Sequence, residues 1–264
     1  MIKLNKKNLI ISTVGDNSLH RRWLSNSASY DVALIYYGDS VGYEGESKYY
    51  YKSKGFKYHL IKDFLENNPI LYSYDYVWLP DDDIQADPED IEKLFRMMAD
   101  YDLWVAQPSI IGYYGVKITL HQLGSLIRFT NWVEIMCPCF NSKALKICQK
   151  VFKENETGWS IETIWNVLLG HPKDKIAIID DIVVVHTRPV GGNYRLEKAL
   201  KEANEVYYKW KLDKEMEKDI EYGSQTGGDI YCSVIYKQFF KEMEDGIEKS
   251  ERCWPNPSLI NFKD

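Results

Sequence analysis

The sequence predicts an α/β fold: a mostly parallel sheet flanked by helices, with a helical C-terminal appendage. Three observations predict it. Short apolar runs recur at residues 8–14, 31–37 and 76–79, closed by Gly15-Asp16, Gly38-Asp39 and Pro80-Asp81. These runs are continuous rather than alternating, as strands covered on both faces are. Segments with helical spacing or helix-start signals lie between and after them.

Taken in order, the first two strands are followed by candidate helices near 18–27 and 60–68. The helix after residue 87 is best signalled. Asp87 suits an N-cap, Pro88 suits N1, and Glu89 and Asp90 complement the helix dipole. Ile91, Leu94, Phe95 and Met98 then share one face. Leu103 to Ala106 reads as a strand, 109–130 as a long irregular functional loop rich in Gly, Tyr and Ser, and 131–140 as another strand. Asn141 or Ser142 starts a helix with Ala144, Leu145, Cys148, Val151 and Phe152 inward, and Ser160 caps one with Ile161, Ile164, Trp165 and Leu168 inward. An extended segment covers Ile176–Ile179 and Ile182–Val185 and ends at His186. A long helix follows with Leu196, Leu200, Ala203, Tyr207 and Trp210 on its stripe, then a flexible break at Gly223–Gly228. The expected division is a domain over 1–192 and a helical extension over 193–264 packed on it.

Composition narrows the function classes. The 264 residues suit one or two domains, and 45% hydrophobic with 27% charged residues excludes wholesale disorder. With 33 Lys and Arg against 39 Asp and Glu, the net charge of −6 argues against nucleic-acid binding by phosphate neutralisation. An anionic small ligand stays possible, since a local site can be positive. The 20 Tyr and 8 Trp are core and surface filler or a platform that stacks sugars or bases. Five cysteines without regular spacing read as reduced, mostly buried thiols. Met1 to Lys7 carries the charges of a secretory leader, but the apolar run at Leu9-Ile10-Ile11 breaks at Ser12, too short for one. The longest later run, Ile182–Val185, is far below a membrane span. The expectation is a cytoplasmic protein without a transmembrane segment.

Chemistry concentrates at strand ends, where parallel α/β sheets bind ligands. Asp81-Asp82-Asp83 follows an apolar strand. Three adjacent carboxylates repel, so they need a cation or solvent. Asp81 and Asp83 point the same way on extended backbone and can hold Mg²⁺ or Mn²⁺ through oxygen. A solvated acidic turn is the plainer alternative. Arg188 can meet a diphosphate through its fork, with Gly191-Gly192 allowing close backbone approach, or simply sit on an exposed turn. Glu134 lies among apolar residues, where a carboxylate is costly unless paired or near a site. Thr13-Val14-Gly15 has no phosphate-loop pattern, and GxGxxG, HExxH, GxSxG and CxxC are absent.

The run Tyr76-Val-Trp-Leu-Pro-Asp-Asp-Asp83 resembles the DxD motif of GT-A glycosyltransferases. Residues 15–23, Asn131 to Phe140, Gly158-Trp-Ser-Ile-Glu162 and Asp180 through His186 to Pro189 come in the order of a glycosyltransferase-like family of uncharacterised reaction. The resemblance covers roughly residues 8–192. It implies a GT-A-like, Rossmann-like domain over 1–192 that binds a nucleotide diphosphate sugar and transfers the sugar to a glycan or other hydroxyl acceptor. It implies Mn²⁺ or Mg²⁺ at Asp81 and Asp83, with His186 as a further ligand. The donor side would comprise Thr13, Gly15, Asp16, Asp39, Asp82 and Arg188. Glu162 falls where inverting enzymes keep their base, and its helix-start position would hold it ionised. That position also explains it as a mere dipole partner. Glu134 is the rival base or an acceptor holder.

Two other readings use the same residues. One is a metal-dependent phosphohydrolase or nucleotidyltransferase that needs no sugar acceptor. The other is a non-catalytic carbohydrate-binding protein on a degenerate transferase scaffold, which would need no metal.

Overall fold

The computed structural model describes residues 6–40, 42–190 and 195–212, and the backbone of 230–236 and 260–263. Met1 to Asn5, Gly191-Gly192, the break at Gly223–Gly228 and Cys253 lie outside the described residues.

The chain forms a mixed α/β structure on one eleven-stranded sheet. Strands β1 (Asn8–Val14), β2 (Tyr30–Tyr36), β3 (Tyr49–Lys52) and β4 (Tyr76–Trp78) make its parallel half, in the order β3-β2-β1-β4. Beyond β4 the sheet is mixed. β8 (Cys139–Asn141) runs antiparallel to both β4 and β6 (Val105–Gly112), and β9 (Ile176–His186) lies parallel to β6. β7 (Ser125–Thr130) runs antiparallel to β9, and β10 (Ile230–Tyr236) and β11 (Ile260–Lys263) complete that edge. The C-terminal extension therefore adds strands to the sheet as well as a helix.

Helices cover both faces. Ile10, Val32 and Leu34 point to the face covered by α2 (Pro88–Asp100), whose Ile91, Leu94, Phe95 and Met98 are buried as the spacing requires. Leu9, Ile11, Ala33 and Ile35 point to the other face, under α1 (Lys57–Asn67), α3 (Ser142–Cys148), α4 (Ile161–Leu168) and α5 (Leu196–Trp210). This division is the period-two geometry of strands, and each of the Leu, Ile and Val side chains contributes roughly 1.5–3 kcal/mol by burial. Asn141 caps α3, its side chain accepting from the Ala144 N–H at 2.8 Å. Cys137, Cys139 and Cys148 are free and buried. No helix among the described residues is long and apolar enough to cross a membrane.

Several expectations fail locally. The helix expected at 18–27 is a single 3-10 turn, His20–Trp23, because Trp23 turns inward and its indole donates to the Ile84 carbonyl at 3.0 Å. The loop expected over 109–130 contains the end of β6 and all of β7. Arg128 disguised β7: it is buried inside the strand, paired with Asp180. Conversely, 131–138 is not a strand. Trp132, Val133, Met136 and Cys137 are buried on a loop that crosses the sheet end. The stripe of α5 is Ala199, Ala203, Val206 and Tyr207, while Leu196 is exposed. Ser160 occupies the N-cap of α4 but in left-handed backbone, φ 71°, and its hydroxyl makes no capping bond.

Candidate functional site

The carboxyl ends of β1, β2 and β4 and the segment after β3 open onto one cleft of about 850 Å³. Thr13, Gly15, Asp16, Asp39, Asp81, Asp82, Asp83, Glu134, Glu162, His186 and Arg188 all line it.

Backbone bonds fix the acidic turn from three sides. The Asp81 N–H donates to the Met136 carbonyl at 2.7 Å, the Asp82 carbonyl accepts from the Leu19 N–H at 2.7 Å, and the Asp83 carbonyl accepts from the Thr187 hydroxyl at 2.9 Å. The short strand β5 (Ile84–Gln85) then pairs with β9, setting Ile84 opposite His186. Two residues of antiparallel pairing thus bring His186 to a turn a hundred residues earlier in the chain.

Asp81, Asp83 and His186 each offer a ligand atom, and these atoms lie within 4.8 Å of one another. His186 Nδ1 donates to the Tyr113 carbonyl at 2.8 Å, which turns Nε2 toward Asp83 Oδ2 at 3.3 Å. Burial would lower the His186 pKa, but the bond to Asp83 and its charge outweigh that and raise it. Asp83 Oδ1 is buried without a hydrogen-bond partner. A buried orphan carboxylate oxygen beside an oriented imidazole and a second carboxylate is a donor set that fits a divalent cation, and the imidazole favours Mn²⁺ over Mg²⁺.

Asp82 is committed to the protein. Its Oδ2 accepts from the Gly15 N–H at 2.7 Å and the Tyr37 hydroxyl at 3.3 Å, and its Oδ1 accepts from Arg188 at 3.1 Å. Burial pushes its pKa up, and the Gly15 N–H and Arg188 oppose the shift. Asp16 is similarly occupied by the Tyr36 hydroxyl, the Ser40 hydroxyl and the N–H groups of Asp39 and Ser40. It shapes the loop after β2 rather than offering a free carboxylate. A Cβ on Gly38 would sit 2.3 Å from Asp16 Oδ1, so this packing requires glycine. Asp39 is exposed and pairs with Lys54 at 2.6 Å.

Glu134 and Glu162 line the same cleft. Both are buried, and one oxygen of each, Oε2, has no partner. Burial pushes Glu134 up to about 8, with the charge of Glu162 adding to it. Burial also pushes Glu162 up to about 8, against backbone N–H groups and the Trp132 indole that favour its ionised form. The helix start therefore does not keep Glu162 at an ordinary carboxylate value; desolvation wins.

Sequence reasoning missed Lys57. Its ammonium donates to Asp81 Oδ1 at 2.6 Å, to the Ile135 carbonyl at 2.8 Å and to the Met136 carbonyl at 3.1 Å. Burial raises the Asp81 pKa and Lys57 opposes it. The available signal was a lysine in the first turn of a helix, where the dipole disfavours a cation. Tyr113 was missed because it acts through its carbonyl, and Ser160 because the sequence reads it as a cap, whereas its hydroxyl makes no capping bond and is left buried without a partner.

No family model matches the chain, and no curated protein does. Among solved structures, similar chains include S. aureus TarS 1–349, at 11% identity and a TM-score of 0.49, covering 82% of this chain and 75% of that one. A second is a Desulfovibrio desulfuricans G20 protein named as a candidate nucleotide-diphospho-sugar transferase, at 12% identity and a TM-score of 0.40, covering 78% and 98%. A third is A197 from STIV, at 12% identity and a TM-score of 0.40, covering 69% and 86%.

Proposed function

We propose that the protein is a metal-dependent, GT-A-like glycosyltransferase that moves a sugar from a nucleotide diphosphate sugar to a hydroxyl acceptor, with inversion. One observation carries the reading. A cation-type triad, Asp81, Asp83 and His186, shares a strand-end cleft with two buried carboxyls suited to proton transfer.

Asp81, Asp83 and His186 would hold Mn²⁺ or Mg²⁺. When bound, the ion supplies positive charge against the leaving diphosphate. Arg188 extends that charge. Its guanidinium is held at the cleft wall by Asp82 and the Asn17 carbonyl, which fixes the position of the charge. Thr13, Gly15 and the loop shaped by Asp16 and Asp39 form the nucleotide side. Glu162 takes the acceptor hydroxyl proton as the new oxygen–carbon bond forms. The bond from the anomeric carbon to the diphosphate breaks, and the diphosphate departs with the electron pair. A carboxyl titrating near 8 is a stronger base than an ordinary one and is matched to neutral solution. Glu134 holds the acceptor.

The test is release of nucleoside diphosphate from UDP- and GDP-sugars with a mixed glycoside acceptor pool. Release should require Mn²⁺ or Mg²⁺, rise with acceptor and vanish in Asp83→Asn. Release at full rate without acceptor would favour the phosphohydrolase reading. Release unaffected by a chelator would contradict the metal assignment.

A further inference from the structure

Three polar atoms of cleft-lining residues lack partners: Glu134 Oε2, Glu162 Oε2 and Ser160 Oγ. Each belongs to a residue at least nine-tenths buried, with exposures of 6%, 6% and 2%. Of the eleven unpartnered buried side-chain atoms among the described residues, these three and Asp83 Oδ1 are the four whose residues line the cleft, where a ligand can complete the bonding. Ser160 is also held in left-handed backbone, which a non-glycine residue keeps only when its surroundings enforce it.

The same region carries two indoles. Trp159 is half-buried and Trp132 is buried, and both line the cleft beside Val116, Ile135 and Met136. A wall that combines aromatic and aliphatic side chains with unpartnered oxygens suits a ring with apolar faces and hydroxyl edges.

Charge selects within that class. Among the described cleft-lining residues, Lys54 pairs with Asp39 and Lys57 with Asp81, while Arg188, beside Asp82, is assigned to the donor diphosphate. Lys57 is further spent on two backbone carbonyls. An anionic acceptor would bring a charge into this buried region with no uncommitted cation to meet it, beside a Glu162 that must itself ionise to act, and burying an unpaired charge is costly.

We infer that this region of the cleft binds an uncharged polyhydroxyl acceptor, a neutral sugar, and discriminates against acceptors bearing phosphate or carboxylate. This rests on the transferase reading and adds the acceptor's chemical class to it. Glu134 and Ser160 bond the sugar hydroxyls that do not react, and Glu162 faces the one that does.

The test uses the full chain with Mn²⁺ and whichever of UDP or GDP binds. Methyl glucoside, methyl galactoside and methyl N-acetylglucosaminide are titrated by ligand-observed NMR, each beside its 6-phosphate, and the first two also beside their uronic acids. At least one neutral glycoside should bind with a Kd of ~1–50 mM, with its anionic counterparts at least about tenfold weaker. Ser160→Ala and Glu134→Gln should weaken the neutral glycoside by roughly fivefold or more while nucleotide binding persists, which shows that each variant is folded. The inference is overturned by an anionic counterpart binding as tightly as its neutral parent, by no neutral glycoside binding, or by neutral binding unchanged in both variants. Loss of Mn²⁺-dependent nucleotide binding in the unmodified protein would instead remove the transferase reading beneath it.

Discussion

His186 and Tyr113 are joined by two hydrogen bonds in opposite directions. The His186 Nδ1–H donates to the Tyr113 carbonyl at 2.8 Å, and the Tyr113 N–H donates to the His186 carbonyl at 3.0 Å. This closed pair fixes both the ring's orientation and the nitrogen that carries the proton. Nε2 is thereby left for Asp83 or for a cation.

The pair depends on Gly112, whose φ is +89° and where a Cβ would fall 2.5 Å from the His186 carbonyl oxygen. Gly112→Ala should therefore cost about 1–3 kcal/mol of stability and weaken Mn²⁺ binding at least ~10-fold. Gly45, at φ +84° with open space around it, is the control. Gly45→Ala should carry the backbone strain alone and leave Mn²⁺ affinity unchanged. Thermal melts and calorimetry on both variants check this.

Glu162→Gln should leave nucleotide affinity nearly intact and cut turnover by roughly 10²–10⁴. The base must be ionised to act, so wild-type turnover should climb as pH rises through about 8. A pH–rate profile measures the climb. Normal turnover in Glu162→Gln with a dead Glu134→Gln would exchange the two roles.

The same burial gives a stability prediction. Glu134 titrates near 8 in the folded chain and near 4.5 unfolded, so between those values the folded state binds more protons. Stability present below about pH 4.5 is thus lost as pH rises through about 8. In chelator, Glu134→Gln should match wild type near pH 4 and exceed it near pH 9 by up to ~4 kcal/mol. Urea denaturation at the two pH values decides, and equal stability at pH 9 would refute the buried-acid account.

Arg128 donates to both oxygens of Asp180, at 2.6 and 2.9 Å, and to the carbonyls of Ile118 and Leu120. Arg128→Met leaves a buried carboxylate with the Gln122 N–H at 3.0 Å and His121 Nδ1 only at 3.9 Å, and should cost about 3–5 kcal/mol. A loss below ~1 kcal/mol in urea denaturation would show that the pair is not holding β7 against β9.

These residues also explain what was legible in the sequence. β1 falls on Asn8–Val14 as read, since Leu9 to Ile11 are buried on both faces of a central strand and the run is unbroken. The segment 131–138 is just as apolar, yet it is a loop: apolarity reports burial, and a loop folded over a sheet end is buried too. β7 was hidden by the opposite effect, because Arg128 looks like solvent and is instead satisfied by a carboxylate 52 positions away. Asp81, Asp83 and His186 could be named because each closes an extended run. Lys57 could not, since its partners lie 24, 78 and 79 positions along the chain and no local pattern announces them.

The central claim is that Asp81, Asp83 and His186 hold a cation that in turn holds a nucleotide diphosphate. Calorimetric titration of UDP and GDP into the protein with Mn²⁺, with chelator, and into Asp83→Asn with Mn²⁺ tests it most directly. The account predicts that one nucleotide binds with Mn²⁺ and loses at least ~10-fold in affinity in each of the other two conditions. Equal affinity with Mn²⁺ and with chelator, or unchanged affinity in Asp83→Asn, would contradict it.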